Sequence, residues 1–191
     1  MEDFVKKFAE EGAFVLSEKI AGEIIACSEE VKLAPKELLV RYGSIDTNVY
    51  IVAEGILRVC YFDGNKEVTL GFTSEGTMLM SLFGYMRKNP AFMYIVSCGK
   101  SVVRKISKED FDRMISDSHE FACWMYTVAI HQLYACEKKL SLISGTAQER
   151  YVALIKNRPD IIRNVSMKDI ASYLGVTPSY LCKLKRRLLA K

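Results

Sequence analysis

The spacing of apolar residues changes period along the chain, and each change predicts a different kind of element. In the first thirty residues Phe4, Val5 and Phe8, then Ile20, Ile24 and Ile25 behind Ser17, recur at helical intervals and predict two short helices. Between residues 31 and 106 the chain is instead rich in Val, Ile, Tyr and Phe in short runs: ELLVRY, NVYIVAEG, ILRVCYF, EVTLGF, FMYIVSC and SVVRKI. Turn signals separate them, at Arg41-Tyr42-Gly43-Ser44, Ala53-Glu54-Gly55, Asp63-Gly64-Asn65 and Cys98-Gly99-Lys100. So many short strands at this spacing fit an antiparallel β-barrel or jelly roll.

Helical periodicity returns at Lys108 and is longest over residues 118–143. Ala122, Tyr126, Ala129, Leu133, Cys136, Leu140 and Ile143 alternate at spacings of four and three, which draws a coiled-coil seam. Phe121, Val128, Ala135 and Leu142 repeat every seven residues beside it. Two stripes predict two partners, the strand domain of the same chain and the same helix of a second copy. The competing reading is one wide stripe facing a single core in a monomer. Past Ser144-Gly145 another helix, residues 147–156, leads to a break at Asn157-Arg158-Pro159-Asp160. The chain therefore reads as α+β in three parts: a strand-rich domain with N-terminal helices (1–117), a dimerisation helix (118–144) and a small helical domain (145–191).

That last part carries the most specific signal. Ser166 is placed to cap a helix, with Asp169 three residues on in the position of a capping box. Gly175 permits the left-handed backbone of a tight turn, and Thr177-Pro178 restarts a helix with a capping hydroxyl and Pro at its first position. Ile170, Leu174, Val176, Leu181 and Leu184 supply a small core, and Ala171 lets the two helices cross closely. This is a helix-turn-helix. The outer side of its second helix presents Ser179, Tyr180, Lys183, Arg186 and Arg187. Hydroxyls and a long cation near a helix start reach base edges in a major groove, and cations behind them meet phosphates.

Charge agrees with that reading. The net charge is +4, but residues 144–191 hold ten basic against three acidic groups, or +7, while the other 143 residues carry 17 basic and 20 acidic groups, or −3. A basic appendage on a slightly acidic body suits a phosphate-binding module on a sensor. The six cysteines have no pair closer than 13 residues, so neither a disulfide framework nor a metal knuckle is indicated. No apolar run reaches the roughly 18 residues of a membrane span, and the amphipathic start is unlike a signal peptide, so a cytoplasmic location is expected. His119 and His131, the only histidines, both fall on the long helix, which leaves the strands without the ligands of a metal-dependent cupin. No hydrolase elbow, P-loop or dinucleotide fingerprint is present, and neither enzymatic activity nor a cofactor or metal is expected.

Taken together, residues 31–188 resemble the Crp/Fnr superfamily of bacterial regulators, in which a cyclic-nucleotide-binding-type barrel, a long dimerisation helix and a C-terminal helix-turn-helix follow in this order. KDIASYLGVTPSYLCKLKR is similar to its recognition unit, and GSIDTNVYIVAEGILRVCYFDGNKEVTLGF to its barrel strands. The resemblance implies double-stranded DNA with an inverted-repeat operator, a second copy of the chain and RNA polymerase as partners, together with a small-molecule effector. It places Ser179 and Lys183 where members read bases, and Ser166, Thr177 and Tyr180 near phosphates. Pro178 departs from the longer polar residue of many members, and the β-hairpin wing that often follows the recognition helix is absent or reduced.

The larger departure is in the ligand pocket. Members that bind cyclic nucleotide use a Gly-Glu pair for the ribose and an Arg for the cyclic phosphate. Here Met80-Ser81 and Ala91-Phe92 occupy those places, and no Asp or Glu occurs between Glu75 and Glu109. Arg87 lies in what reads as an added loop. An effector other than cyclic AMP is therefore expected, with Met78, Met80, Ser81, Phe83, Ala91 and Met93 as candidate pocket residues, although a Met-rich core is the more common explanation of such methionines. Cys60 and Cys98 would sense oxidants only if exposed. The alternative function is a ligand-binding or protein-interaction module whose DNA-binding domain has decayed.

Overall fold

The computed structural model describes residues 3–143 and 145–189, the side chains of 138–143 and 189 excepted. Two helices open the chain, α1 (Asp3–Ala9) and α2 (Glu18–Ala26), the second capped by Ser17 as its position predicts. Next come β1 (Glu29–Leu33), β2 (Leu38–Val40), β3 (Val49–Glu54), β4 (Ile56–Asp63), β5 (Lys66–Ser74) and β6 (Met78–Met80). A short α3 (Leu82–Arg87) precedes β7 (Met93–Ser97) and β8 (Ser101–Ile106). The rest is helical: α4 (Lys108–Asp117), α5 (His119–Ile143), α6 (Ala147–Asn157), α7 (Pro159–Asn164), α8 (Met167–Tyr173) and α9 (Pro178–Leu189).

The strands do not close into a barrel. They form two four-stranded antiparallel sheets, ordered β1-β8-β3-β6 and β2-β7-β4-β5, packed face to face. The jelly-roll half of the expectation stands and the closed barrel is corrected. The reason lies in the edges: β6 and β2 have three residues each and pair on one side only, too short to carry a ladder across to the other sheet. Leu33, Val40, Tyr50, Val52, Leu57, Leu79, Ala91, Ile95 and Val103 fill the space between the sheets.

Each sheet is covered on its outer face. Helices α1, α2, α4 and α5 pack on the first, where Val49, Ile51 and Ile106 meet Phe8, Ile24, Phe111, Phe121 and Trp124. Trp124 is fully buried and donates its indole N–H to the Ala9 carbonyl at 3.0 Å, with Phe8 edge-on at 4.8 Å and Phe121 stacked at 5.8 Å. The second sheet is covered by the C-terminal helices, whose core includes Ile56 and Phe72 from the strands.

Two elements run against the expectation from sequence. Arg87, read as lying in an added loop, instead ends α3 (Leu82–Arg87), which is capped by the buried Ser81 hydroxyl accepting from the Gly84 amide at 3.3 Å. Gly84 looks like a helix breaker in sequence, yet a Cβ there would lie 1.9 Å from the Asp46 carbonyl oxygen, so close approach of two backbones requires glycine. The break after Asn157 is followed at once by α7, which starts on Pro159, a residue that suits the first turn of a helix.

Trp124 joins the N-terminal helices to α5, so Trp124→Ala should cost about 3–5 kcal/mol from lost burial and the orphaned Ala9 carbonyl. Urea denaturation followed by circular dichroism checks this, and a loss under about 1 kcal/mol would contradict the anchoring role.

Candidate nucleic-acid interface

The two-helix unit forms where the sequence places it. The Ser166 hydroxyl accepts from the Asp169 amide at 3.1 Å and caps α8, whose last residue, Tyr173, is followed by the C-cap Leu174. Gly175 follows with φ +67°, the left-handed value that favours glycine. The Thr177 hydroxyl then accepts from the Tyr180 amide at 3.2 Å and starts α9 on Pro178. Leu181 and Leu184 are buried against Ile170, Ala171, Leu174, Tyr151, Leu154 and Ile161, which turns the opposite side of α9 outward.

Every residue expected to meet DNA is exposed to solvent. Ser166, Thr177, Ser179, Tyr180, Lys183, Arg186 and Arg187 are all exposed, as is Lys185. Among the described residues, Lys183, Lys185, Arg186 and Arg187 form no ion pair with any carboxylate. These four cations on one helix create a local positive field, and no carboxylate among the described residues pairs with them. Tyr180, at 47% exposure, stands beside them as an aromatic hydroxyl.

The unit is held against the second sheet by a polar clamp that sequence reading missed. Arg58 of β4 is buried, and its Nη1 lies 2.7 Å from Glu67 Oε1 and 2.8 Å from Asp169 Oδ1, and donates to Thr69 Oγ1 at 3.2 Å. The other Asp169 oxygen accepts from the Ser166 hydroxyl at 2.7 Å. Asp169 is therefore turned toward the sheet as well as its own cap, where the sequence suggested a local capping box alone. Three residues along the same helix, Ser172 caps the open edge of β5: its hydroxyl accepts from the Thr69 amide at 3.0 Å and donates to the Glu67 carbonyl at 3.3 Å. Phe72 and Tyr173 add a ring contact at 5.5 Å, and Arg158 reaches the Phe72 carbonyl and Ser74 from α7.

The clamp sets the ionisation of its carboxylate. Burial alone would raise the Glu67 value, but hydrogen bonds from the Tyr94 hydroxyl and Arg58, with the Arg58 charge, hold it below the usual carboxylate range. A lowered value means that this contribution is complete above the ordinary carboxylate pKa and fades only as pH falls through the lowered one.

The candidate pocket residues are not brought together. Met78 and Met80 point out of the sandwich and pack with the helices of the first sheet. Ser81 caps α3, and Phe83 is exposed with its ring edge-on to Phe92 at 4.7 Å. Ala91 alone joins the core between the sheets, and Met93 is half-buried on β7. The alternation of β6 explains the first result, because Leu79 takes the inward position and its neighbours face away. Cys60 is buried and Cys98 half-buried. Burial, then the Asp169 charge, pushes the Cys98 thiol up to about 12, which suits packing and not redox sensing.

On α5 the two stripes separate. Phe121, Trp124 and Val128 are buried against the body of the same chain. On the seam, Ala122 is half-buried while Tyr126, Ala129, Leu133 and Cys136 are exposed, Tyr126 at 68% and Leu133 at 59%. Ala135 is exposed too. Leu140, Ile143 and Leu142 fall where side chains are outside the described residues. His119 and His131 are exposed on the same helix, and among the described residues no group of histidine, cysteine or carboxylate could hold a metal ion. No helix among them is long and apolar enough to cross a membrane.

Residues 30–118 match the family described as Cyclic nucleotide-binding domain. No curated protein sequence matches the chain. Among solved structures, FixK2 from Bradyrhizobium japonicum aligns with a TM-score of 0.73 at 16% identity over 85% of each chain. The c-di-GMP-responsive global regulator CLP from Xanthomonas campestris aligns at 0.72 and 15%, covering 91% of this chain and 92% of that one. A mutant of CooA from Carboxydothermus hydrogenoformans aligns at 0.71 and 16%, covering 88% and 79%. The expected resemblance to Crp/Fnr regulators is thus met in the fold.

If the Arg58–Asp169 contact holds α8 on the sheet, Asp169→Leu should cost about 2–4 kcal/mol, because it leaves a buried guanidinium short of one partner. The double variant Arg58→Met/Asp169→Leu should recover most of that loss. A double-mutant cycle by urea denaturation reads both, and additive losses would show that the two side chains act independently.

Proposed function

We propose that the protein is a homodimeric transcription regulator of the Crp/Fnr type, which binds double-stranded DNA through α9 and acts on RNA polymerase, with an effector other than cyclic AMP. The observation that carries this reading is the outward side of α9, where Ser179, Tyr180 and Lys183 precede Arg186 and Arg187, all exposed and the cations without acidic partners among the described residues. Hydroxyls and a lysine in the first turns reach base edges, whereas arginines further along meet the phosphate backbone. Fold similarity to FixK2 and CLP supports the same class.

Dimerisation rests on α5. Tyr126, Ile130, Leu133 and Tyr134 are large apolar or aromatic residues left uncovered on one helix, and a second copy of the same helix is the partner that a four-three seam fits. Two recognition helices related by a twofold axis enter successive major grooves, so the operator is an inverted repeat with half-sites about 34 Å apart. The effector reading rests on the absence of any carboxylate between Glu75 and Glu109, on Ala91-Phe92 standing where the family's Arg is expected, and on the apolar filling between the sheets. Two absent charge-assisted contacts at about 1.5–3 kcal/mol each correspond to more than a hundredfold weaker cyclic-nucleotide binding.

Fluorescence anisotropy with the operator and a scrambled duplex, titrated with salt, separates the roles. Lys183→Ala should lose about 1–3 kcal/mol on operator alone and relax preference at one symmetric base position. Arg186→Ala should weaken both duplexes alike and lower the salt slope by about one. Equal loss on both duplexes for Lys183→Ala, with an operator-only loss for Arg186→Ala, would reverse the roles; no effect of either would remove DNA binding from α9. For the seam, Tyr126→Lys/Leu133→Lys should give monomers by light scattering while leaving the circular dichroism unchanged, and a variant that stays dimeric would place the interface elsewhere.

A further inference from the structure

A cleft of about 400 Å³ lies between the second sheet and the start of α8, and its chemistry is not used by the clamp that borders it. Arg58 is the reason. Its ion pairs with Glu67 and Asp169 and its bond to Thr69 all leave from Nη1. Among the described residues Nε and Nη2 take no acceptor. Neither is sealed away, because the one enclosed side-chain polar atom without a partner among the described residues is Thr73 Oγ1. The side chain is only 10% exposed, and it lines this cleft. A free guanidinium edge in such a setting presents two parallel N–H donors, the geometry that matches a carboxylate or phosphate.

Two lysines line the same cleft, Lys36 from the sheet domain and Lys168 from α8. Both are exposed, and neither forms an ion pair among the described residues. Lys36 is held there by design of its turn: its φ is +66°, a value L residues rarely adopt, and its amide donates to the Ser97 carbonyl at 3.1 Å. The buried Ser97 hydroxyl fixes the same turn, donating to the Ala34 carbonyl at 2.5 Å and accepting from the Glu37 amide at 3.0 Å. Three cations against Glu67 and Asp169 leave the lining one positive charge in excess. Val96 and Cys98 supply a less polar wall.

We propose that this cleft binds a small organic anion, a carboxylate or phosphate carrying a compact apolar body, with its charged head on the free edge of Arg58 between Lys36 and Lys168. Such a ligand touches the sheet domain and the helix-turn-helix at once, so it tightens their docking. Only this consequence rests on the regulatory reading; the binding itself does not.

Calorimetry on the full-length protein without DNA tests it, using phenyl phosphate, benzoate and inorganic phosphate as probes. Saturable binding of at least one aromatic probe, one per chain and tighter than inorganic phosphate, is expected. Lys36→Gln/Lys168→Gln should weaken it roughly fivefold to thirtyfold with the thermal unfolding midpoint unchanged. No saturable heat up to about 10 mM of any probe overturns the proposal, as does affinity unaltered in the double variant. Displacement of a bound probe by a scrambled duplex would make the cleft a DNA phosphate contact and also overturn it. Failure of the α9 variants to alter DNA binding, with probe binding intact, would count against the regulatory reading alone.

Discussion

Arg58 carries a full charge into a largely buried place, and the arrangement of the two halves of the molecule follows from how that charge is compensated. One partner, Glu67, comes from the neighbouring strand; the other, Asp169, comes from the first helix of the helix-turn-helix. Removing either leaves a poorly solvated cation short of a partner, so the sheet domain and the two-helix unit of α8 and α9 are coupled through an interaction that tolerates loss poorly. Asp169 extends the coupling one step further, because its second oxygen holds the Ser166 hydroxyl at the start of α8.

The same docking solves a problem of the sheet itself. With β5 at an edge, its outward amides and carbonyls would be a template for pairing with another chain. Ser172 satisfies two of these groups and α8 shields the strand, so the helix-turn-helix serves as the cover of an open edge. Its buried side is then committed to the sheet, and α9 is left with its cationic side outward. Ile56 and Phe72 from the strands complete that small core, which explains why so few helical residues suffice to build it.

Local chemistry was legible in the sequence wherever cause and effect lie within a few residues. Ser166, Gly175 and Thr177-Pro178 act on their own helix ends, and the outward side of α9 follows from Leu181 and Leu184 by helical spacing alone. The two stripes of α5 were readable for the same reason, although Trp124, which anchors the helix, lay on neither. What could not be read was set by distant partners. Nothing near Arg58 announces Asp169, and Met78 and Met80 looked like pocket residues until the pleat of a three-residue strand turned them to the helices. The need for glycine at position 84 was equally hidden, because the backbone of Asp46 that demands it is far off in sequence.

Amide hydrogen exchange at Thr69 tests the coupling most directly, since that N–H is bonded to Ser172 across the docking surface and has no strand partner on that side. In the unaltered protein this amide should exchange slowly. With Asp169→Asn, which keeps the shape of the side chain and removes its charge, it should exchange faster while amides of the paired strands β3 and β8 keep their protection. Thr69 protection unchanged by Asp169→Asn would contradict the account, because α8 would then sit on the sheet without help from Arg58.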